Sequence, residues 1–362
     1  MNNNEASRSI DSWSFWDDLE IEALKITNNL EEDEANNASR SARRKWKPSG
    51  TITMYDDAPG VKKVVPVRGA KARAYSWFTT KEAITSSSGY FHINHNFKGY
   101  VNYSIKWERN DYEIRSKTFG QAYYNGPRLK RKAWNLEIRG GMSRMYAIIH
   151  RAAHRYYYEA RAGIRTPPKR NQMLGRLTIA AYDWEKVEVN GNHNASRRWS
   201  TWPEIKIFKP SKECHDIYAT TIHELAHASH WDLGKHNDFN NSMDIVKESW
   251  ARGVQWAVTR LEYSGYVPVY ARLNYTGVVH DMVDGVKNRS SRYWWDDDID
   301  DWGSPSIFKS YTDRVSGYSM RQVEDAIIGQ RNWNGWRDNI KNKYTNGTEN
   351  NLDAAFIYWN AK

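Results

Sequence analysis

The residues with the clearest chemical content are His223-Glu224-Leu225-Ala226-His227. On an α-helix, positions i and i+4 share a face, so imidazoles at 223 and 227 can reach one metal ion. Glu224 lies about 100° further round, beside the metal without being aimed at it, where a carboxylate can take a proton from water. The flanks predict the helix itself: Ile217, Ile222, Leu225 and Trp231 form a broken apolar stripe, and Gly234 is a stop signal. Two histidines do not complete a catalytic zinc centre, which takes three protein ligands and one water. Downstream, Asn241-Ser242-Met243-Asp244 predicts the start of a second helix carrying Ile245, Val246, Trp250, Ala251, Val254, Ala257 and Val258. Glu248 interrupts that apolar surface. A carboxylate there needs a partner to offset its desolvation, and a zinc ion would supply one.

In this pairing the chain resembles the gluzincins, the metallopeptidase clan that includes thermolysin and the zinc aminopeptidases, in which a second helix supplies a glutamate as third ligand. Twenty residues, 228–247, separate His227 from Glu248, close to the clan's spacing. The run Glu248-Ser249-Trp250-Ala251 also resembles the Glu-x-aromatic-Ala stretch of aminopeptidase-like members. The resemblance implies His223, His227 and Glu248 as zinc ligands, Glu224 as base, and hydrolysis of peptide bonds in a peptide or protein substrate. The extended metzincin pattern fails, because His230 and Leu233 stand where Gly and His belong. His230 is expected in the outer shell or at the surface, and His236, Asp238 and Asp244 rank behind Glu248 as ligands. Where thermolysin-like enzymes carry an Asp that orients a ligand histidine, this chain has Arg252. That support is therefore expected from Asp244, Asp281 or Asp284. The clan's oxyanion donor is usually Tyr or His, and His280, Tyr293 and Tyr318 are candidates by position.

The elements that must position these groups read as three regions. Residues 1–46 predict an amphipathic helix from Trp13, Phe15, Trp16, Leu19, Ile21, Leu24 and Ile26, then a linker. Over 47–118 the apolar period changes to two, in Thr51-Ile52-Thr53-Met54, Ala70 to Ser76, Tyr90 to Ile93 and Val101 to Trp107. Gly, Pro, Asp and Ser separate these segments, which predicts a small antiparallel β-sandwich. Gly50-Thr51-Ile52, Val67 to Ala72, and Thr85-Ser86-Ser87-Ser88-Gly89-Tyr90-Phe91 resemble the transthyretin-like, carboxypeptidase regulatory-like family. That resemblance implies a non-catalytic module, often on exported proteins. Residues 119–362 are expected to form the zincin metallopeptidase domain, with strands at Leu177 to Tyr182 and Ile205 to Phe208 ahead of the zinc helix and a mostly helical C-terminal part. The fold class expected is α+β multidomain.

Other patterns read as packing or solvated surface. His150 and His154 stand four apart on a helical stretch from Met142 to Ala162, but no Glu follows the first and the setting is basic. The acidic run Asp296 to Asp301 fails the calcium-loop order, with Asp301 where Gly is required and Ile307 where the bidentate Glu belongs. Tyr318 to Trp336 predicts one helix with Met320, Val323, Ala326 and Ile327 on its apolar face and Trp333 and Trp336 closing the core. No phosphate-binding glycine loop, serine nucleophile elbow or zinc ribbon is present.

Composition sets the outer limits. The chain has 362 residues, a formal charge of +10 and 14% aromatics, including 18 Trp and 23 Tyr. The basic clusters at Arg43-Arg44-Lys45 and Arg128 to Lys132 read as ordinary charge scatter, and no nucleic-acid partner is expected. One cysteine, Cys214, excludes an intramolecular disulfide and a Cys-rich metal site. No apolar run reaches membrane-span length, and the mean hydropathy is −0.86. The start Met1-Asn2-Asn3-Asn4-Glu5 lacks signal-peptide character. The expected address is therefore extracellular, periplasmic or surface-attached if a leader was removed, and cytoplasmic otherwise. A monomer is expected. Two alternatives from other classes are a zincin-fold binding or adhesion protein without activity, and a basic nucleic-acid-binding protein with a structural metal.

Overall fold

In β1 (Ser49–Asp56), β3 (Lys71–Tyr75), β5 (Tyr90–His92) and β6 (Val101–Lys106) the alternation of apolar and polar residues folds into strands whose buried faces carry the apolar residues. In β1 every second residue is buried, Ile52 and Met54 among them. The computed structural model describes residues 45–360 apart from 78, 169–174, 235, 272 and 286–312, together with the isolated position 26. Apart from Ile26, the helix expected over residues 13–26 lies outside the described residues, as do Tyr293 and the acidic run 296–301.

Two four-stranded sheets make the sandwich. In the first, β1 is flanked by β10 (Trp134–Ile138) and β2 (Lys63–Pro66), and β5 (Tyr90–His92) also pairs with β1. In the second the order is β4 (Thr80–Ile84), β3 (Lys71–Tyr75), β6 (Val101–Lys106), β9 (Tyr123–Leu129), antiparallel throughout. Phe91, Tyr103 and Trp134 join the two faces, with ring centroids 6.1 Å (Phe91–Tyr103), 6.3 Å (Phe91–Trp134) and 5.2 Å (Tyr103–Trp134) apart. The expected all-antiparallel pairing is broken at one place: β10 runs parallel to β1, from Gly50 opposite Trp134 to Met54 opposite Ile138.

A third sheet has the order β12 (Gly191–His193), β13 (Ile205–Ile207), β11 (Leu177–Ala181), β7 (Tyr112–Ser116), β8 (Gly120–Gln121). Here β13, β11 and β7 are parallel, and the short edge strands β12 and β8 are antiparallel. Strand pairing therefore crosses the expected boundary at 118/119. The hairpin β7–β8 joins the third sheet, while β9 and β10, which follow it, close the sandwich.

Two long helices lie against this sheet, α1 (Gly141–Tyr158) and α2 (Cys214–Leu233). α2 also packs along α4 (Asp244–Thr259), to which a short α3 (His236–Asn240) leads. α1 ends at Tyr158 rather than Ala162, because Glu159 turns extended and its carboxylate is held by Arg68 at 2.9 Å. His150 and His154 on α1 serve packing. His150 is fully buried with its ring nitrogens 3.0 Å from Tyr112 Oη and from the Arg68 carbonyl, and burial pushes its pKa down to about 3. The layers are tied together by a buried ionic cluster. Asp56 on β1 accepts from Arg151 on α1 at 2.7 Å and from Tyr263 at 2.9 Å, and Glu262 accepts from Arg151 at 2.6 Å and from Arg68 at 2.6 Å.

The C-terminal part is helical: α5 (Val278–Val283), α6 (Met320–Ile327), α7 (Trp333–Lys343) and α8 (Leu352–Trp359). The single helix expected over Tyr318 to Trp336 is two. Gly329, at φ 77°, breaks the run, and Asn332 restarts it by accepting from the Gly335 amide at 2.7 Å. Trp333 and Trp336 are buried against Phe356, as expected of core-closing residues. The architecture is α+β.

Candidate metal centre

α2 is an almost wholly buried helix, so its polar residues are conspicuous. His223, Glu224 and His227 are 8%, 6% and 7% exposed. The i, i+4 spacing aims both imidazoles at α4, where Glu248 meets them. His223 Nε2 lies 3.0 Å from Glu248 Oε2, His227 Nε2 lies 3.3 Å from the same oxygen, and the two Nε2 atoms are 3.1 Å apart. Three ligand-type atoms thus converge on one point, and these residues form a group able to hold a metal ion.

The surroundings orient the set. His223 Nδ1 is 3.1 Å from Gln255 Oε1, which also accepts from Arg252 Nη1 at 3.0 Å. Both ring nitrogens face acceptor oxygens, so with Nδ1 donating to Gln255 the neutral ring keeps its Nε2 lone pair for an ion lying between it and Glu248 Oε2. Gln255 is itself held by donating to Tyr266 Oη at 2.6 Å. Burial brings the His223 pKa down to about 4, so this imidazole is neutral at pH 7, as a metal ligand must be. Burial alone would raise the Glu248 pKa, but His227 and His223 outweigh it and hold the carboxyl far below its ordinary value. His227 shifts upward, because Glu248 more than offsets its desolvation. The point between these groups therefore favours a positive charge.

Glu224 faces differently. Its carboxyl packs against β12, where Gly191 leaves room: a Cβ there would stand 2.7 Å from Glu224 Oε1 and 2.7 Å from Thr220 Cγ2. Burial pushes the Glu224 pKa up to about 7. A cleft of about 560 Å³ opens over the cluster, and its wall includes Gly191 and His193 on β12, Trp231, Phe239, Lys247 and Tyr275.

The four residues expected to carry the chemistry, His223, Glu224, His227 and Glu248, are thus brought together. The accessory candidates among the described residues are not. His280 stacks on Trp256 at 4.1 Å, with Tyr270 Oη 2.9 Å from its Nδ1, and it does not line the cleft. Tyr318 is buried outside the cleft. Asp244 pairs with Lys247 at 2.8 Å, Asp281 accepts from Trp359 Nε1 at 2.7 Å, and Asp284 lies 3.6 Å from His280, so none of them supports a ligand histidine. Asp238 is held by Arg331 at 2.7 Å. His230 is buried under Phe239, 5.1 Å between centroids, rather than at the surface. The side chain of His236 lies outside the described residues.

Gln255 and Tyr275 were missed at the sequence level. For Gln255 a signal exists: it stands seven residues after Glu248, on the same face of α4. Tyr275 comes from a loop and follows no period; its ring centroid is 6.1 Å from that of His223. No family model, curated protein or solved structure matches the chain.

Proposed function

We propose that this chain is a zinc-dependent peptidase of the gluzincin type, hydrolysing peptide bonds in a peptide or protein. The observation that carries this reading is the triangle of His223 Nε2, His227 Nε2 and Glu248 Oε2, with sides of 3.0, 3.1 and 3.3 Å and Glu224 beside it in one cleft. A tetrahedral ion with bonds of about 2.0–2.1 Å sets its ligand atoms about 3.3 Å apart, and two imidazoles with one carboxylate form a zinc-type donor set that keeps a fourth position open. When bound, zinc supplies Lewis acidity toward the carbonyl and makes water nucleophilic near neutral pH.

The chain's own groups do the rest. Glu224 accepts the proton of the attacking water and returns it to the leaving amine, roles suited to a carboxyl whose pKa is raised to about 7. β12 is an edge strand with one side unpaired among the described strands, so an extended peptide can add to it and lie across Glu224. Tyr275, on the cleft wall, takes the oxyanion-donor role expected of His280, Tyr293 or Tyr318. The sandwich is a non-catalytic transthyretin-like module, which favours an exported address. Among the described residues no helix is long and apolar enough to cross a membrane.

The test is hydrolysis of a mixed peptide library by the native protein and by Glu224→Gln, with zinc analysis of both and of Glu248→Ala. The native protein should hold one zinc and cleave, and Glu224→Gln should hold zinc and lose cleavage. Equal products from both would end the enzyme assignment. Full zinc retention in Glu248→Ala would show that the third ligand is misassigned.

A further inference from the structure

An ionised aspartate beside a ligand imidazole can only accept a hydrogen bond, so it fixes which ring nitrogen carries the proton. A glutamine cannot do this alone, because its amide has an acceptor oxygen at one end and two donors at the other. Gln255, buried and set against His223 Nδ1 at 3.1 Å, therefore has two ways to satisfy the ring. With Oε1 toward the ring, Nδ1 carries the proton and Nε2 keeps a lone pair. With the amide turned over, its NH2 donates to Nδ1 and the proton sits on Nε2, where Glu248 Oε2 at 3.0 Å accepts it. Both arrangements satisfy a neutral ring, yet only the first leaves a lone pair for a metal ion. Tyr266 does not choose between them. Its hydroxyl, 2.6 Å from Gln255 Nε2, can accept from an NH2 or donate to an oxygen.

Arg252 makes the choice. It precedes Gln255 by three residues on α4, so the two side chains are neighbours on one helix face. Arg252 Nη1 donates to Gln255 Oε1 at 3.0 Å, and a guanidinium has five donors, no acceptor and no neutral form near pH 7. Turning the amide over would set its NH2 against that donor. The guanidinium also lies over the Tyr275 ring, 4.7 Å from the centroid, a stack that helps to keep it in place. Resting on the assignment of zinc to this centre, we propose that Arg252 is a positioning residue: by holding the Gln255 oxygen toward the ring, it fixes His223 in the Nδ1–H tautomer that can bind the ion. A cation and a neutral amide thus do together what an acceptor-only carboxylate would do by itself.

The test combines a spectroscopic readout with zinc affinity, and neither needs turnover. In the metal-free full chain carrying nitrogen-15-labelled histidine, the ring-nitrogen shifts at neutral pH should show His223 as the Nδ1–H tautomer, with its signals assigned by their loss in His223→Gln. Arg252→Met keeps the stem and removes the donors. It should populate the Nε2–H form and weaken zinc about tenfold or more in chelator competition. Arg252→Met/Gln255→Glu should return zinc affinity to the parental level or above, because a carboxylate accepts at either oxygen and needs no guanidinium to orient it. A purely structural role for Arg252 predicts no such rescue. Parent protein with His223 in the Nε2–H form overturns the proposal, and this readout on the native chain stands even if Arg252→Met does not fold. So does parental zinc affinity in Arg252→Met, or a loss that persists in the folded double variant. Failure of the peptidase reading looks different: the peptide library stays uncut while tautomer and affinities behave as stated, and Arg252 then keeps its role toward the metal.

Discussion

Replacing Gly191 by alanine probes the contact between the edge strand and the proposed base. The added methyl would stand 2.7 Å from Glu224 Oε1, 2.7 Å from Thr220 Cγ2 and 2.9 Å from Glu224 Cγ, whereas ordinary contact begins at 3.4 Å. About 0.7 Å must be recovered. Thr220 and Glu224 sit on successive turns of α2, which is packed on α1, α4 and the sheet, so the helix cannot retreat. Either the carboxylate swings or β12 lifts off. A misplacement of about 1 Å at a catalytic group lowers turnover about 10²-fold, so a ten- to hundredfold fall in kcat is expected. The three atoms nearest the new methyl belong to Glu224 and Thr220, and none belongs to a ligand residue. Zinc affinity should therefore stay within about twofold of the parent. Chelator competition measures the affinity, and hydrolysis of the best library peptide measures kcat. Zinc-loaded Gly191→Ala with parental turnover would refute the assignment of Glu224 as a base held against β12.

Gln255→Ala should weaken zinc binding about 10–100-fold by leaving His223 Nδ1 without its acceptor, and unchanged chelator competition would show that His223 is oriented by something else. Glu262 is held below its ordinary value of 4.5, because Arg151, Arg155 and Arg68 outweigh the upward push of burial. A carboxyl with a depressed folded pKa stabilises fully above the unfolded value and loses that contribution as pH falls through the folded one. Glu262→Gln should thus cost about 3–5 kcal/mol at pH 7 and progressively less below about pH 4.5, read as urea midpoints across that range. Trp134→Ala should cost about 3–5 kcal/mol, since its ring, 4% exposed, joins both sheets of the sandwich; a loss under about 1 kcal/mol would contradict that packing.

Much of the centre was legible because its spacing is helical. His223 and His227 share a face by the 3.6-residue period alone, and Glu248 stood out as a carboxylate on an apolar stripe. Strands β1, β3, β5 and β6 were legible for the same kind of reason, with period two, while β2 and β4 were not read. What failed was whatever depends on a partner distant in sequence. Nothing local in Trp134–Ile138 says that it runs parallel to β1, and β7–β8 leave the sandwich for another sheet although they lie between sandwich strands. The break at Gly329 was missed because apolar spacing continued on both sides of it. Support for His223 was sought among aspartates, and a glutamine held by Arg252 and Tyr266 provides it.

By itself the chain's order of residues determined two helices with metal-type donors and a run of alternating strands, because side-chain periodicity is a property of consecutive residues. Tertiary structure alone decided that Glu248 meets both imidazoles within 3.3 Å and that β12 presses on Glu224. Those are matters of how packed elements cross. Crossing is set by complementarity between surfaces far apart in the chain, which no local pattern encodes.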